Sequence, residues 1–202
     1  MQTTALTESW NLEQILDDLN EFGFALIDQT YSPEYIQALV KECTSQLEHF
    51  RAAGIQNGVV SQIRSDHILW IDGQLPIAQQ HIEALQSLSQ TLNQAFYLGI
   101  KEVEAHFACY NAGEFYTLHR DNPQQKNDRV ISTVFYLHED WHEDYGGQLR
   151  LQDKQEQWHI IHPLPNRLVI FQSDLLHEVL LSKQQRLSIT AWLRSGNSIW
   201  KV

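Results

Sequence analysis

Val130-Ile-Ser-Thr-Val-Phe-Tyr-Leu137 is the stretch that decides how this chain folds. It carries no charge and is built almost entirely from β-branched and aromatic residues, which favours an extended strand. At this length it is far too short to cross a bilayer. Ser132, Val134 and Tyr136 alternate onto one face of it, so polar and aromatic groups share a side. Similar short runs lie on either side, at 103–110, 148–152, 158–162, 168–171 and 186–194. Gly, Pro, Asn and Asp separate them. Many short strands with such breaks predict a double-sheet jelly roll or barrel.

Upstream of residue 102 the period changes from two to that of a helix. Leu12, Ile15, Leu16 and Leu19 predict a first helix, and 22–27 a short strand. Ser32-Pro33 reads as an N-cap with proline in the first turn of a second helix running to about Arg51. A third starts near Pro76 and turns Ile77, Ile82, Leu85, Leu88, Leu92 and Phe96 towards a core. With 202 residues and no low-complexity linker, the chain reads as one α+β domain, residues 1–202. Residues 1–101 are expected to be mainly helical support, and 102–195 the β-core that these helices buttress.

Composition narrows the function. The chain carries 25 acidic and 14 basic residues, a formal net charge of −11. Nucleic-acid binders normally present a basic stripe, and none is visible, so no nucleic-acid partner is expected. No signal-peptide pattern or bilayer-length apolar run occurs, so no membrane partner is expected either. Cys43 and Cys109 stand far apart, which suits neither a disulfide framework nor a zinc knuckle. The expected location is the cytoplasm.

Histidine is abundant, with 10 copies, and three His-x-Asp matches occur where about 0.5 is expected by chance. Two of them, His138-x-Asp140 and His142-x-Asp144, fall in an acidic run that ends in Gly146-Gly147. That is the composition of a wet loop. A zinc pair from His138 and His142 would need a helix that the glycines cut short. His119 and Asp121 follow a strand and a turn, and residues i and i+2 of an extended segment point the same way. With His177 from elsewhere they would form a two-histidine, one-carboxylate face that leaves octahedral positions open on iron(II). Arg186, nine residues after His177, shares a strand face with Ser188, Thr190 and Trp192, while Leu187, Ile189, Ala191 and Leu193 take the other. Its planar fork suits a carboxylate ligand.

In that order, His119-x-Asp121, His177 and Arg186 resemble the prolyl-hydroxylase branch of the iron(II)- and 2-oxoglutarate-dependent oxygenases. Oxygen-sensing animal enzymes and their bacterial relatives are the nearest in pattern. Ala108-Cys-Tyr110, residues 116–123, Val134-Phe-Tyr-Leu137, Gly146-Gly-Gln-Leu-Arg150 and His177-Glu-Val179 add to the likeness. So does Ile63-Arg-Ser-Asp-His-Ile-Leu-Trp-Ile-Asp-Gly73. The resemblance implies a double-stranded β-helix and a dioxygenase that hydroxylates a prolyl residue of a protein, releasing succinate and carbon dioxide. It implies Fe(II), 2-oxoglutarate and O2, with ascorbate as a candidate reductant.

By the same resemblance His119, Asp121 and His177 bind the metal. Arg186 and Tyr136 hold the distal carboxylate of 2-oxoglutarate, Tyr110 reaches its metal-binding end, and Ser132 and Thr190 complete the pocket. Arg129 and Trp192 fall at substrate-side positions. A substrate-covering hairpin is expected at 59–73. Its strands would be 59–64 and 67–71, joined at Ser65-Asp66 outside the β-core, with Arg64 and Asp66 meeting charges opposite and Arg129 as the partner of Asp66. The expected partner is a protein bearing a target proline, a translation factor being one candidate among bacterial relatives. Two readings compete: an oxygenase for a free amino acid or other small molecule, and a metal-bearing sensor of the same fold without turnover.

Overall fold

The structure, a computed structural model, describes residues 10–54, 63–122 and 128–196. Helix α1 (Leu12–Glu21) begins where the Asn11 side chain accepts from the Gln14 amide, and it buries Ile15 and Leu19. Strand β1 is Phe24–Ile27. Helix α2 (Pro33–Ser45) opens on the Ser32 cap and buries Tyr35, Leu39 and Cys43. It stops short of the expected Arg51. A 3-10 turn at Leu47–His49 follows, and then β2 (Arg51–Ala52).

Helix α3 (Pro76–Phe96) has no side-chain cap of its own, because Leu75 stands at that position. The carboxylate of Glu42 on α2 supplies one instead, accepting from the Ile77 and Ala78 amides at 3.0 and 2.7 Å. A negative group at a helix N-terminus satisfies two orphan donors and complements the helix dipole. That contact ties α2 to α3.

The remaining strands are β3 (His67–Trp70), β4 (Glu102–Tyr110), β5 (Tyr116–His119), β6 (Arg129–Tyr136), β7 (Leu149–Gln152), β8 (Trp158–Ile161), β9 (Leu168–Gln172), β10 (His177–Val179) and β11 (Arg186–Arg194). Seven make a large sheet in the order β1-β9-β6-β11-β4-β3-β2, and four make a small one, β5-β10-β7-β8. The pairings are antiparallel throughout. This is the expected jelly roll with helical buttresses.

The period of two divides the large sheet. Ile131, Phe135, Phe107, Ile189, Ala191 and Leu193 join the helices in the main core. Val134, Tyr136, Val169 and Phe171 face the small sheet, where Leu149, Leu151 and Ile161 meet them. On the second face of β4 and β11, Tyr110 lies opposite Arg186, Ala108 opposite Ser188, His106 opposite Thr190, and Glu104 opposite Trp192. Polar groups gather there because this face lines the space between the sheets.

The expected hairpin is not an outlying flap. Residues 55–62 lie outside the described residues, so most of its first strand is not described. Its second strand, β3, belongs to the large sheet, paired from His67 to Trp70 with β4 and also with β2. Arg64 bridges to Tyr116 rather than to β3. The apolar content of Ile68 and Leu69 explains the difference, since both pack on buried clusters.

Candidate active site

The antiparallel pairing of β5 and β10 sets His119 directly opposite His177. Their rings lie 4.2 Å apart between centroids. Asp121, just past β5, bends back so that one carboxylate oxygen stands 3.7 Å from His119 Nε2 and the other 3.6 Å from His177 Nε2. One donor atom from each residue lies within 4.8 Å of the others, and among the described residues this is the one such group of three. His138 and His142 form no such group; His142 is exposed and pairs with Asp140.

Each histidine is oriented from behind. His119 Nδ1 is 2.7 Å from the Thr117 carbonyl, and His177 Nδ1 is 3.0 Å from that of Leu175. A carbonyl there fixes the proton on Nδ1 and leaves the Nε2 lone pair for a metal. Tyr116 stacks on the His119 ring at 3.6 Å and 15°. Burial works against a charge on Asp121, but His177, His119 and the Ser132 hydroxyl outweigh it and hold the carboxyl well below its usual range. Burial and the neighbouring His119 push His177 down to about 4, which keeps it a neutral donor.

Arg186 sits on the adjoining wall and is 3% exposed. Its guanidinium carbon is 4.9 Å from the ring centroids of both Tyr110 and Tyr136. One Nη donates to Ser188 Oγ at 3.2 Å, while Nε has no hydrogen-bond partner. No carboxylate pairs with it among the described residues. A buried cation without a counter-ion is expensive unless a ligand neutralises it. The Tyr136 hydroxyl is buried beside this guanidinium and meets no well-formed hydrogen-bond partner among the described residues. Burial raises the phenols of Tyr110 and Tyr136, and the guanidinium partly offsets this, so both remain protonated donors.

Gly147 makes room for this arrangement. Its φ is +71°, and a Cβ there would meet Arg186 Cδ at 2.9 Å and Ser182 Oγ at 2.8 Å. Between Arg186 and the His–Asp–His face lies a pocket of about 420 Å³, counting its open mouth. Leu149, Phe171, Val134 and Val179 supply apolar walls, and Thr190, Tyr110, Arg64 and Trp192 also line it. The residues therefore fit both a metal with open positions and an anion seated on Arg186.

Two expectations change. Ser132 does not turn to the pocket. Its hydroxyl donates to Asp121 Oδ2 at 2.7 Å and meets Ser173 Oγ at 2.8 Å, so it supports the carboxylate from behind. Asp66 does not pair with Arg129. It is fully buried and takes both prongs of Arg64 at 2.6 and 3.0 Å, while Arg129 pairs with Glu104 at 2.8 Å and covers the Trp192 ring. Arg64 in turn lies over Tyr116, 4.8 Å from its centroid. Sequence reasoning missed Tyr116, Ser173, Glu104 and His106. The last two were legible in principle, because Glu104, His106 and Tyr110 share the alternation of β4.

Residues 105–194 match the profile of the 2OG-Fe(II) oxygenase superfamily. A prolyl-4-hydroxylase from Pseudomonas putida is 35% identical, with a TM-score of 0.84 over 91% of this chain and 98% of that one. A Trichoplax adhaerens prolyl hydroxylase, solved with a hypoxia-inducible-factor oxygen-degradation-domain peptide, is 26% identical with a TM-score of 0.85, covering 91% and 89%. The hypoxia-inducible factor prolyl hydroxylase of Caenorhabditis elegans is 31% identical over 95% of this chain. The chain spans only 29% of that protein's length.

Proposed function

Because the chain belongs to the 2OG-Fe(II) oxygenase superfamily, we propose that it hydroxylates a prolyl residue of a protein substrate, consuming 2-oxoglutarate and dioxygen. The observation that carries this reading is the pairing of two complementary sites in one pocket. A face of two histidines and a carboxylate lies across from a buried arginine that pairs with no carboxylate among the described residues. A dicarboxylate bound through one end to each satisfies both. The prolyl-hydroxylase relatives, one of them seated on a peptide, favour a prolyl protein over a free metabolite.

In this reading His119 and His177 hold iron(II) through Nε2 and Asp121 through its carboxylate. When bound, the metal supplies the activation of dioxygen, coupled to decarboxylation of 2-oxoglutarate to succinate. Arg186 receives the distal carboxylate on its planar fork, and the Tyr136 hydroxyl donates a further hydrogen bond. Tyr110 and Thr190 orient the cosubstrate along the pocket. The apolar walls exclude water from the reacting end. Trp192 and Arg64 stand on the side left for the substrate, with Arg129 behind Trp192 and Asp66 behind Arg64.

The finer assignments belong to the same proposal. Cys43 and Cys109 are both buried and free, which supports a reducing compartment such as the cytoplasm. No helix among the described residues is long and apolar enough to cross a membrane. A translation factor is the first protein class to test as substrate. The experiment is succinate formation by the iron-loaded protein, with and without candidate prolyl proteins. Stimulation accompanied by one added oxygen on proline supports the reading. Stimulation by free amino acids alone, or no turnover at all, refutes it in favour of a small-molecule oxygenase or a sensor.

A further inference from the structure

Strands β6 and β11 set Arg129 and Arg194 directly opposite each other. Like charges facing across a sheet repel. Carboxylates resolve the conflict, Glu102 standing 3.7 Å from Arg194 and two others closer. Asp128 grips Arg194 with both oxygens, at 2.9 and 3.0 Å. Glu104, on β4, is shared: Oε2 accepts from Arg194 and Oε1 accepts from Arg129 at 2.8 Å. Glu104 is also the cross-strand neighbour of Trp192, so its grip draws the Arg129 guanidinium over that ring, 3.5 Å from the centroid.

Trp192 is a pocket wall. The wall continues outward through Trp70, which is 49% exposed and 6.5 Å from Trp192 between ring centroids. A guanidinium on a tryptophan face is attractive in itself. Without Glu104, however, Arg129 would face Arg194 with one shared counter-charge fewer.

We propose that Glu104 is a positioning residue for substrate recognition: anchored by Arg194, it holds Arg129 flat on Trp192 and thereby fixes the wall that meets the prolyl substrate. This rests on the prolyl-hydroxylase reading. Glu104 does not line the pocket and touches neither the His–Asp–His face nor Arg186, so its influence runs through Arg129.

The test combines one readout that needs no substrate with one that does. In the zinc-loaded protein with 2-oxoglutarate, zinc serving as a diamagnetic substitute, the Arg129 Nε–H resonance is expected to be shifted by the Trp192 ring. Arg129→Met and Trp192→Phe identify it. Glu104→Gln should move that resonance away from its parental position while 2-oxoglutarate affinity stays as in the parent. With a peptide bearing the proline that gains oxygen in extract, Glu104→Gln should raise the KM roughly three- to tenfold, the scale of a partly desolvated cation–π contact. The Glu104→Gln, Arg129→Met double variant should be no worse than Arg129→Met alone.

An unmoved Arg129 resonance overturns the proposal. So do KM effects that simply add, or a loss of 2-oxoglutarate affinity. Absence of any oxidised proline counts against the prolyl reading alone, because the resonances still decide whether Glu104 sets the stack.

Discussion

At the scale of single residues, burial and unmet hydrogen bonds single out the site. Arg186 is buried, aromatic-flanked and, among the described residues, without a carboxylate, so its energetics depend on a ligand. Arg186→Lys keeps the charge but loses the planar fork, and should weaken 2-oxoglutarate binding by about tenfold or more, on the order of 1.5–3 kcal/mol. Calorimetric titration measures this, and parental affinity in the lysine variant would give the carboxylate to another residue. Ser132 predicts a different signature. Removing its hydroxyl leaves Asp121 less well oriented while the Arg186 end is untouched. Ser132→Ala should therefore lower metal affinity or turnover roughly 10–100-fold. Metal titration checks it; a loss confined to 2-oxoglutarate affinity would return Ser132 to the cosubstrate pocket.

At the scale of elements, the sequence disclosed more of the site than of its supports. His119, Asp121 and His177 were legible because spacing and residue type carry the chemistry, but β5 and β10, which bring them together, were not. These strands are short, His177–Val179 spanning only three residues, and no period can show in so brief a segment. The end of α2 was misjudged because its apolar stripe continues into the 3-10 turn at Leu47. The segment around Asp66 was misjudged for another reason. Charge next to aromatics reads as surface, yet Asp66 is buried by its two-pronged pair with Arg64, and its carbonyl accepts from the Ala53 amide at 2.8 Å. Asp66→Ala should therefore destabilise the fold by about 3–5 kcal/mol, since it strands a largely buried guanidinium. Urea unfolding checks this. A variant of parental stability whose only change is in substrate KM would restore the idea of an independent flap.

At the scale of the whole molecule, the fold keeps three histidines neutral away from the metal ligands, His138 among them, which burial pushes down to about 4. Burial pushes His81 down to about 3 and His106 to about 4, from the ordinary 6.5. Between those values the unfolded chain binds protons that the folded one refuses. Stability therefore falls as pH drops below 6.5, by about 1.4 kcal/mol per pH unit for each histidine. The urea midpoint should fall between about pH 7 and about pH 5, and His106→Met should flatten that slope. A midpoint independent of pH over that range would contradict the buried, neutral state of these rings.

The architecture closes two sheets over one pocket, with a metal face on the small sheet and an anion seat on the large one. On the proposed reading this pocket delivers an oxygen atom from dioxygen to a prolyl side chain. The most direct measurement exposes a cell extract to the iron-loaded protein, 2-oxoglutarate and isotopically heavy dioxygen, and then maps peptide masses. Heavy oxygen is expected on a defined proline, absent in the His177→Ala control and without 2-oxoglutarate. Robust succinate formation with heavy oxygen in a small molecule other than succinate, and none in any protein, is the opposite result.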